Sequence, residues 1–215
     1  MSEGSIPAGE RMNALLAEAG LDKVDSALGG QFEAYLSLIL RWNARINLTA
    51  TRDAEGILSR HFVESILCAR ALPAGIATLL DFGSGAGFPG IPIALCRPEI
   101  AVTLAESQGK KAAFLQEAIR ILGISAKVHD QRAESLSAQF DCVTLRAVDR
   151  MPQAVKAASL LVAPHGWLVL MTTRAELAGL QTIAGTNFSW PKVLALPGSA
   201  DRLFALGERK ISLPA

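Results

Sequence analysis

From Ile76 onward, short apolar runs alternate with amphipathic helical stretches, and this alternation constrains the fold of the 215-residue chain more than any other feature. Strands are predicted over 78–82, 101–106, 126–129, 140–145 and 167–171, with helical stretches such as 88–95, 109–122 and 151–162 between them. Near-continuous apolar strands joined by helices belong to a parallel sheet covered on both faces. Two later runs, 192–196 and 202–206, read as antiparallel closing strands around a Pro197-Gly198 turn. Upstream the pattern is helical. One helix is predicted over 7–19, and a second over 31–47 carries Phe32, Tyr35, Leu36, Ile39, Leu40 and Ile46 at helical spacing. A third begins near Arg52-Asp53 and ends before Pro73. Pro73-Ala74-Gly75 divides the two patterns, so a helical extension over 1–75 and an α/β domain over 76–215 are expected.

Half the residues are hydrophobic, enough for a sizeable core. No apolar run approaches the roughly 20 residues of a membrane span. Met1-Ser2-Glu3-Gly4-Ser5 has no basic segment followed by an apolar one, so no secretory signal is expected. Cys68, Cys96 and Cys142 are scattered and lack metal-ligand spacing. They read as small buried side chains of a cytoplasmic protein, with no metal site. A net charge of +1 is far from that of a non-specific polyanion binder, so any RNA must be held by a local basic face.

Between the first strand and its helix stands Asp81-Phe82-Gly83-Ser84-Gly85-Ala86-Gly87. A glycine-rich turn here lets the backbone approach a nucleotide-like ligand closely. Asp81 precedes the glycines, and Glu106 closes the next strand one strand–helix–strand unit later. Two acids at adjacent strand tips suit a ligand with a cationic amino-acid end and a neutral ribose, and S-adenosylmethionine is such a ligand. NAD is the rival. Its fingerprint G-x-G-x-x-G is not matched by the spacing of Gly83, Gly85, Gly87 and Gly90, and a pyrophosphate disfavours a nearby carboxylate such as Asp81. Ala133-Glu134, after the third strand, stands where the adenine edge would lie; the alternative is a helix N-terminus with an acid complementing its dipole.

A methyl acceptor would approach near the end of the fourth strand, Cys142-Val143-Thr144-Leu145-Arg146-Ala147. No Asn/Asp-Pro-Pro-aromatic tetrapeptide is present and no Pro-Cys nucleophile, which disfavours methylation of an exocyclic amino group or of cytosine C5. Arg146 instead offers a charged fork suited to guanine or to phosphate. It is the candidate catalytic residue, acting by alignment and electrostatics because N7 of guanine is already an unprotonated lone pair. An ion pair of Arg146 with Asp141 or Asp149 is the structural alternative.

These residues bring the chain close to a known family. It resembles the bacterial 16S ribosomal RNA guanine-N7 methyltransferases, once called glucose-inhibited division protein B. The resemblance rests on Arg41-Trp42-Asn43, Asn47-Leu48-Thr49, His61 to Ser65, Glu106 to Leu115, Arg146-Ala147 and, most specifically, Gly83-Ser84-Gly85-Ala86-Gly87-Phe88-Pro89-Gly90-Ile91-Pro92. It implies a doubly wound, Rossmann-like class I methyltransferase sheet and a donor pocket formed by Gly83, Gly85 and Phe88, with Glu106 on the ribose and Ala133-Glu134 near the adenine. It also implies RNA or acceptor contacts by Lys110, Arg132, Arg146 and Arg202, and 16S RNA or the small ribosomal subunit as the partner; a monomer is expected.

Two departures stand out. The family's Lys-Gly pair after the fifth strand is replaced by Met171-Thr172-Thr173-Arg174, and Glu64 stands where Asp is more usual in His-x-x-Asp-Ser. His61 and Trp42 read as structural residues, and Asn43 and Asn47 as caps or cross-links of the helical region. Two other functions stay open: an NAD-dependent oxidoreductase, disfavoured because Tyr35 is the only tyrosine, and a catalytically silent RNA-binding or assembly factor that keeps the donor pocket.

Overall fold

The computed structural model describes residues 6–210; the segment Met1 to Ser5, read above for a secretory signal, lies outside them. Seven strands form one sheet in the order β3-β2-β1-β4-β5-β7-β6. They are β1 Thr78–Phe82, β2 Ala101–Ala105, β3 Ala126–His129, β4 Phe140–Arg146, β5 Val162–Thr173, β6 Phe188–Ala195 and β7 Arg202–Arg209. The first five pair in parallel, and β7 runs antiparallel between β5 and β6. Strand order reverses between β1 and β4, which sets a crevice beyond the carboxyl ends of β1, β2 and β4. β5 is five residues longer at its start than predicted, beginning where helix 151–162 was expected to end.

The helices are α1 Ala8–Glu18, α2 Ser26–Asn43, α3 Ala54–Ile57, α4 Glu64–Ala71, α5 Gly90–Cys96, α6 Gly109–Leu122, α7 Met151–Leu161 and α8 Arg174–Ala184. A π-helical turn, Leu58–Val63, joins α3 to α4. α2 starts before the predicted residue 31 because Asp25 caps it, accepting from the Leu28 N–H at 2.8 Å. Gly29 and Gly30 therefore lie inside the helix instead of ahead of it. Gly29 serves close packing: a Cβ added to Gly9 of α1 would sit 3.3 Å from Gly29 Cα.

Alternation along the strands sends neighbouring residues to opposite faces of the sheet. Leu79, Val102, Leu104, Cys142 and Val169 face a core shared with Phe32, Tyr35, Phe62, Ile91 and Phe114 of the helices. Leu80, Val143, Leu145, Leu168 and Leu170 face the other way, against α7 and α8. The helical region before residue 76 thus shares its core with one face of the sheet. Tyr35 stacks on Phe62 at 5.3 Å between centroids, and Trp42 meets Phe114 edge-on at 5.8 Å. Trp42 and Arg41 also donate to Glu117 of α6, each at 2.7 Å. Asn43 behaves as a cross-link: its Oδ1 accepts from Leu48 and Thr49 N–H, and its Nδ2 donates to the Thr51 carbonyl. Asn47 accepts from Arg52.

Among the described residues no helix is long and apolar enough to cross a membrane, and no group of His, Cys, Asp and Glu is arranged to hold a metal. Cys68 and Cys142 are buried and Cys96 is half-buried, all as free thiols. Burial pushes the Cys68 thiol up to about 12 and that of Cys96 to about 11, so both stay protonated and unreactive at neutral pH.

Candidate functional site

A cavity of about 900 Å³ opens at the switch in strand order. Its floor is the turn after β1. Ser84 N–H donates to the Ala105 carbonyl at 2.9 Å, which seats the turn against the tip of β2. Tyr35 Oη donates to the Ala86 carbonyl at 2.5 Å, so α2 holds the turn from behind. Gly87 has φ +88°, and a Cβ there would fall 2.7 Å from the Tyr35 hydroxyl; only glycine allows this approach.

Glu106 lines the cavity and is buried. Its Oε2 accepts from Gly85 N–H at 2.9 Å and its Oε1 from Gln108 N–H at 2.8 Å. A carboxylate has about four acceptor positions, so about two remain for a ligand. That set matches a vicinal diol, which brings two O–H donors. Gly83, Gly85, Phe88, Ala133 and Glu134 also line the cavity. A ribose diol therefore fits the acceptor set of Glu106.

Asp81 takes a different place from the one expected. It is 1% exposed, lies beneath the turn and is not among the cavity's lining residues. Its Oδ1 accepts from Thr144 Oγ1 at 2.8 Å and its Oδ2 from Gly90 N–H at 3.2 Å. Burial raises its pKa to about 6 against the lowering effect of these hydrogen bonds. An acid facing inward braces the turn through Gly90 and β4 through Thr144.

Arg146 lines the cavity at the end of β4. Its partner is neither Asp141 nor Asp149, because Asp141 is occupied at the opposite end of the strand by Ala77 and Thr78. Instead Arg146 Nη2 donates to the Arg60 carbonyl at 2.8 Å, to His61 Nδ1 at 2.9 Å and to Glu64 Oε2 at 2.9 Å. Its guanidinium also stands 5.8 Å from the centre of the Phe88 ring. Nη1 of Arg146 is buried and has no hydrogen-bond partner. Arg202 Nη1 reaches Glu64 Oε1 at 2.6 Å.

An arginine donates only, so His61 Nδ1 must accept, which places the imidazole proton on Nε2, facing Thr49 Oγ1 at 2.9 Å. Burial, then the charges of Arg146, Arg60 and Arg202, hold His61 down to about 3. The ring is neutral, stacks on Phe88 at 4.8 Å and serves structure.

The other expected contacts divide. Arg132 is exposed and lines the cavity. Lys110 is exposed on the first turn of α6 but outside the wall, where its neighbour Lys111 stands. Arg202 is half-buried behind the wall with Glu64, and Arg174 is exposed at the start of α8. Sequence reasoning missed Arg60 and the β4–α7 loop, Ala147 to Arg150, which also line the cavity. Ala147 and Arg150 take left-handed backbone at φ 50° and 54°, which nothing in their residue types announces.

A family profile described as rRNA small subunit methyltransferase G matches residues 29–188. The chain belongs to that family. It is 41% identical over 189 residues to ribosomal RNA small subunit methyltransferase G of Xanthomonas euvesicatoria pv. vesicatoria (strain 85-10), covering 84% of this chain and 87% of that one. To the protein of the same name from Stenotrophomonas maltophilia (strain K279a) it is 38% identical over 208 residues, covering 93% and 95%. The N-methyltransferase NodS from Bradyrhizobium japonicum WM9 is similar with a TM-score of 0.52 at 15% identity, over 68% of this chain and 93% of that one. The fibrillarin/Nop5p complex is similar with a TM-score of 0.55 at 18% identity, over 69% and 80%. At such identities these two show the fold alone: it is the class I Rossmann-like methyltransferase fold that the alternation and the resemblance predicted.

Proposed function

We propose that the chain methylates N7 of a specific guanine in small-subunit (16S) ribosomal RNA, with S-adenosylmethionine as donor. The observation that carries this reading is one cavity with two chemistries. Glu106 keeps acceptor positions for a diol, and the guanidinium-bearing Arg146 lines the same cavity. Family membership supports the reaction class and the ribosomal RNA substrate, and sets aside the oxidoreductase alternative.

The donor supplies an activated methyl group on a cationic sulfur. Glu106 holds its ribose, the turn from Gly83 to Gly85 lets the backbone approach it, and Phe88 closes one wall. Ala133 and Glu134 stand at the adenine side. Arg146 orients the acceptor through guanine O6 or a phosphate, since N7 must keep its lone pair free to accept the methyl group. No proton leaves N7 before transfer, so the site needs no general base. The neutral His61, with Nδ1 already accepting from Arg146, is consistent with that. Catalysis then rests on alignment and on placed charge. Arg132 and Lys110 contribute the exposed basic face toward RNA, Arg202 adds positive charge from where Glu64 holds it, and the enzyme acts as a monomer in the cytoplasm, where its substrate is made.

The test is methyl transfer from isotopically labelled S-adenosylmethionine to small subunits purified from cells lacking this protein. Label recovered as 7-methylguanosine, by nuclease digestion and mass spectrometry, is the expected result. Donor binding without any label would overturn the reading in favour of a silent assembly factor.

A further inference from the structure

We infer that Glu64 is the positioning residue of this site: a buried carboxylate that fixes the Nη2 end of the Arg146 guanidinium and so sets how the rest of the fork stands at the cavity. The inference rests on the function proposed above and assigns a role to a residue that neither the motif nor the resemblance singled out for chemistry.

Glu64 is 1% exposed and opens α4 directly after the π-helical turn. A buried carboxylate is tolerated only when opposite charges meet it. Two do, one from each of two strands that β5 separates: Arg146 at the end of β4, 2.9 Å from Oε2, and Arg202 at the start of β7, 2.6 Å from Oε1. One acid from the helical region therefore ties down two arginines of the sheet.

The hydrogen-bond count shows what this accomplishes. Nη2 of Arg146 carries two N–H groups and meets three acceptors, from Arg60, His61 and Glu64, so it has nothing left to offer. Nη1 of the same group is buried and meets none. A charged donor left unpaired inside a protein is costly, and functional sites are where such costs persist. Arg60 and Arg202 add positive charge that Glu64 alone does not balance, which favours an electron-rich ligand in the cavity beside Arg146. Of the three acceptors, only Glu64 is charged, and charge-assisted hydrogen bonds are the strong ones. An arginine chain is otherwise free to sample many rotamers, so the carboxylate sets where the fork points.

The experiment compares wild type, Glu64→Gln and Glu64→Asp with small subunits from cells lacking the protein. Glu64→Gln is expected to lower kcat roughly 30-fold at saturating donor, a loss of alignment, while the dissociation constant for S-adenosylhomocysteine stays within about twofold. Glu64→Asp withdraws the carboxylate by one methylene but keeps its charge, and should fall between the two, several-fold below wild type. A second readout does not depend on turnover. The side-chain N–H signals of Arg146, identified by their absence in Arg146→Lys, are expected to be resolved and protected in wild type and averaged with solvent in Glu64→Gln. Should Glu64→Gln fail to fold, Glu64→Asp supplies both readouts. Wild-type kcat together with protected Arg146 signals in whichever variant folds would overturn the role given to Glu64. Failure of the wild type itself to transfer methyl would instead sink the proposed function.

Discussion

His61 lies between Arg146 and Thr49, and its imidazole is held to about 3 by burial first and then by the surrounding arginines. Unfolding returns it to its ordinary value of 6.5. Between those two values the unfolded chain binds a proton that the folded chain refuses. Stability from this group is therefore fully present above 6.5 and is lost as pH falls. Going from pH 8 to pH 5.5, the loss through this one side chain is about 1.4 kcal/mol. The depth of the shift hardly matters at that pH: any folded value below roughly 4.5 gives the same loss to within about 0.1 kcal/mol. His61→Asn removes the titration and leaves an amide oxygen in the neighbourhood of Nδ1 to accept from Arg146. The variant also gives up ring stacking on Phe88, but that cost does not depend on pH. The quantity to compare is the change in unfolding free energy between the two pH values, by urea titration. Wild type is expected to lose about 1.4 kcal/mol more than the variant. Equal losses would refute the buried neutral imidazole, and with it the argument that Nδ1 is committed to Arg146.

Four further outcomes are expected. Arg146→Ala should abolish methyl transfer while calorimetry shows nearly unchanged donor binding; weakened donor binding with normal turnover at saturation would contradict its place on the acceptor side. Glu106→Ala should raise the dissociation constant for S-adenosylhomocysteine roughly 10- to 100-fold, the value of hydrogen bonds to a charged acceptor, and an unchanged constant would remove Glu106 from the ribose. Asp81 titrates with the opposite sign to His61. Its pKa is raised from 3.8 to about 6, so its contribution is fully present below 3.8 and is lost as pH rises through 6. Wild type should accordingly lose about 1.4 kcal/mol between pH 5 and pH 8 that Asp81→Asn does not, and parallel urea curves would refute it. Finally, the division at residue 75 is a change of element type within one core. A piece spanning 76–215 exposes Ile91 and Phe114 where Phe32, Tyr35 and Phe62 covered them, and should aggregate; cooperative unfolding of that piece would show an independent domain.

The fold was legible because its signals are local and repeated. Strands β1 and β3 and helix α6 fall at the predicted bounds; β1 is legible because a buried parallel strand is apolar at nearly every position, whereas β3 is a half-exposed edge strand. The start of α2 was misread for an equally physical reason. Gly29 and Gly30 look like a break, yet Asp25 caps the helix upstream and the small residue lets α1 approach. Nothing in the sequence near Leu58 to Val63 announces a π-helical turn. Its registry is set by tertiary partners, among them Arg146, which lies 85 residues beyond His61.

The acids of the site show where reading by position stops. Asp81, Glu106 and Glu64 are all buried carboxylates near one cavity, but their roles diverge with what faces them. Glu106 spends one lone pair per oxygen on backbone and lines the cavity. Asp81, one turn away in sequence from the same glycines, points inward to Thr144 and Gly90 because β1 sends alternate side chains to opposite faces. Glu64 is invisible as a site residue in the sequence, since its two partners lie 82 and 138 residues downstream, on strands that only the assembled sheet brings together. A substitution of Asp by Glu at that position preserves charge, as the sequence suggests, but it also moves the carboxylate outward by a methylene. In this chain that reach lets one acid touch both arginines, so the residue that looked like a tolerated variant is the one on which the aim of Arg146 depends.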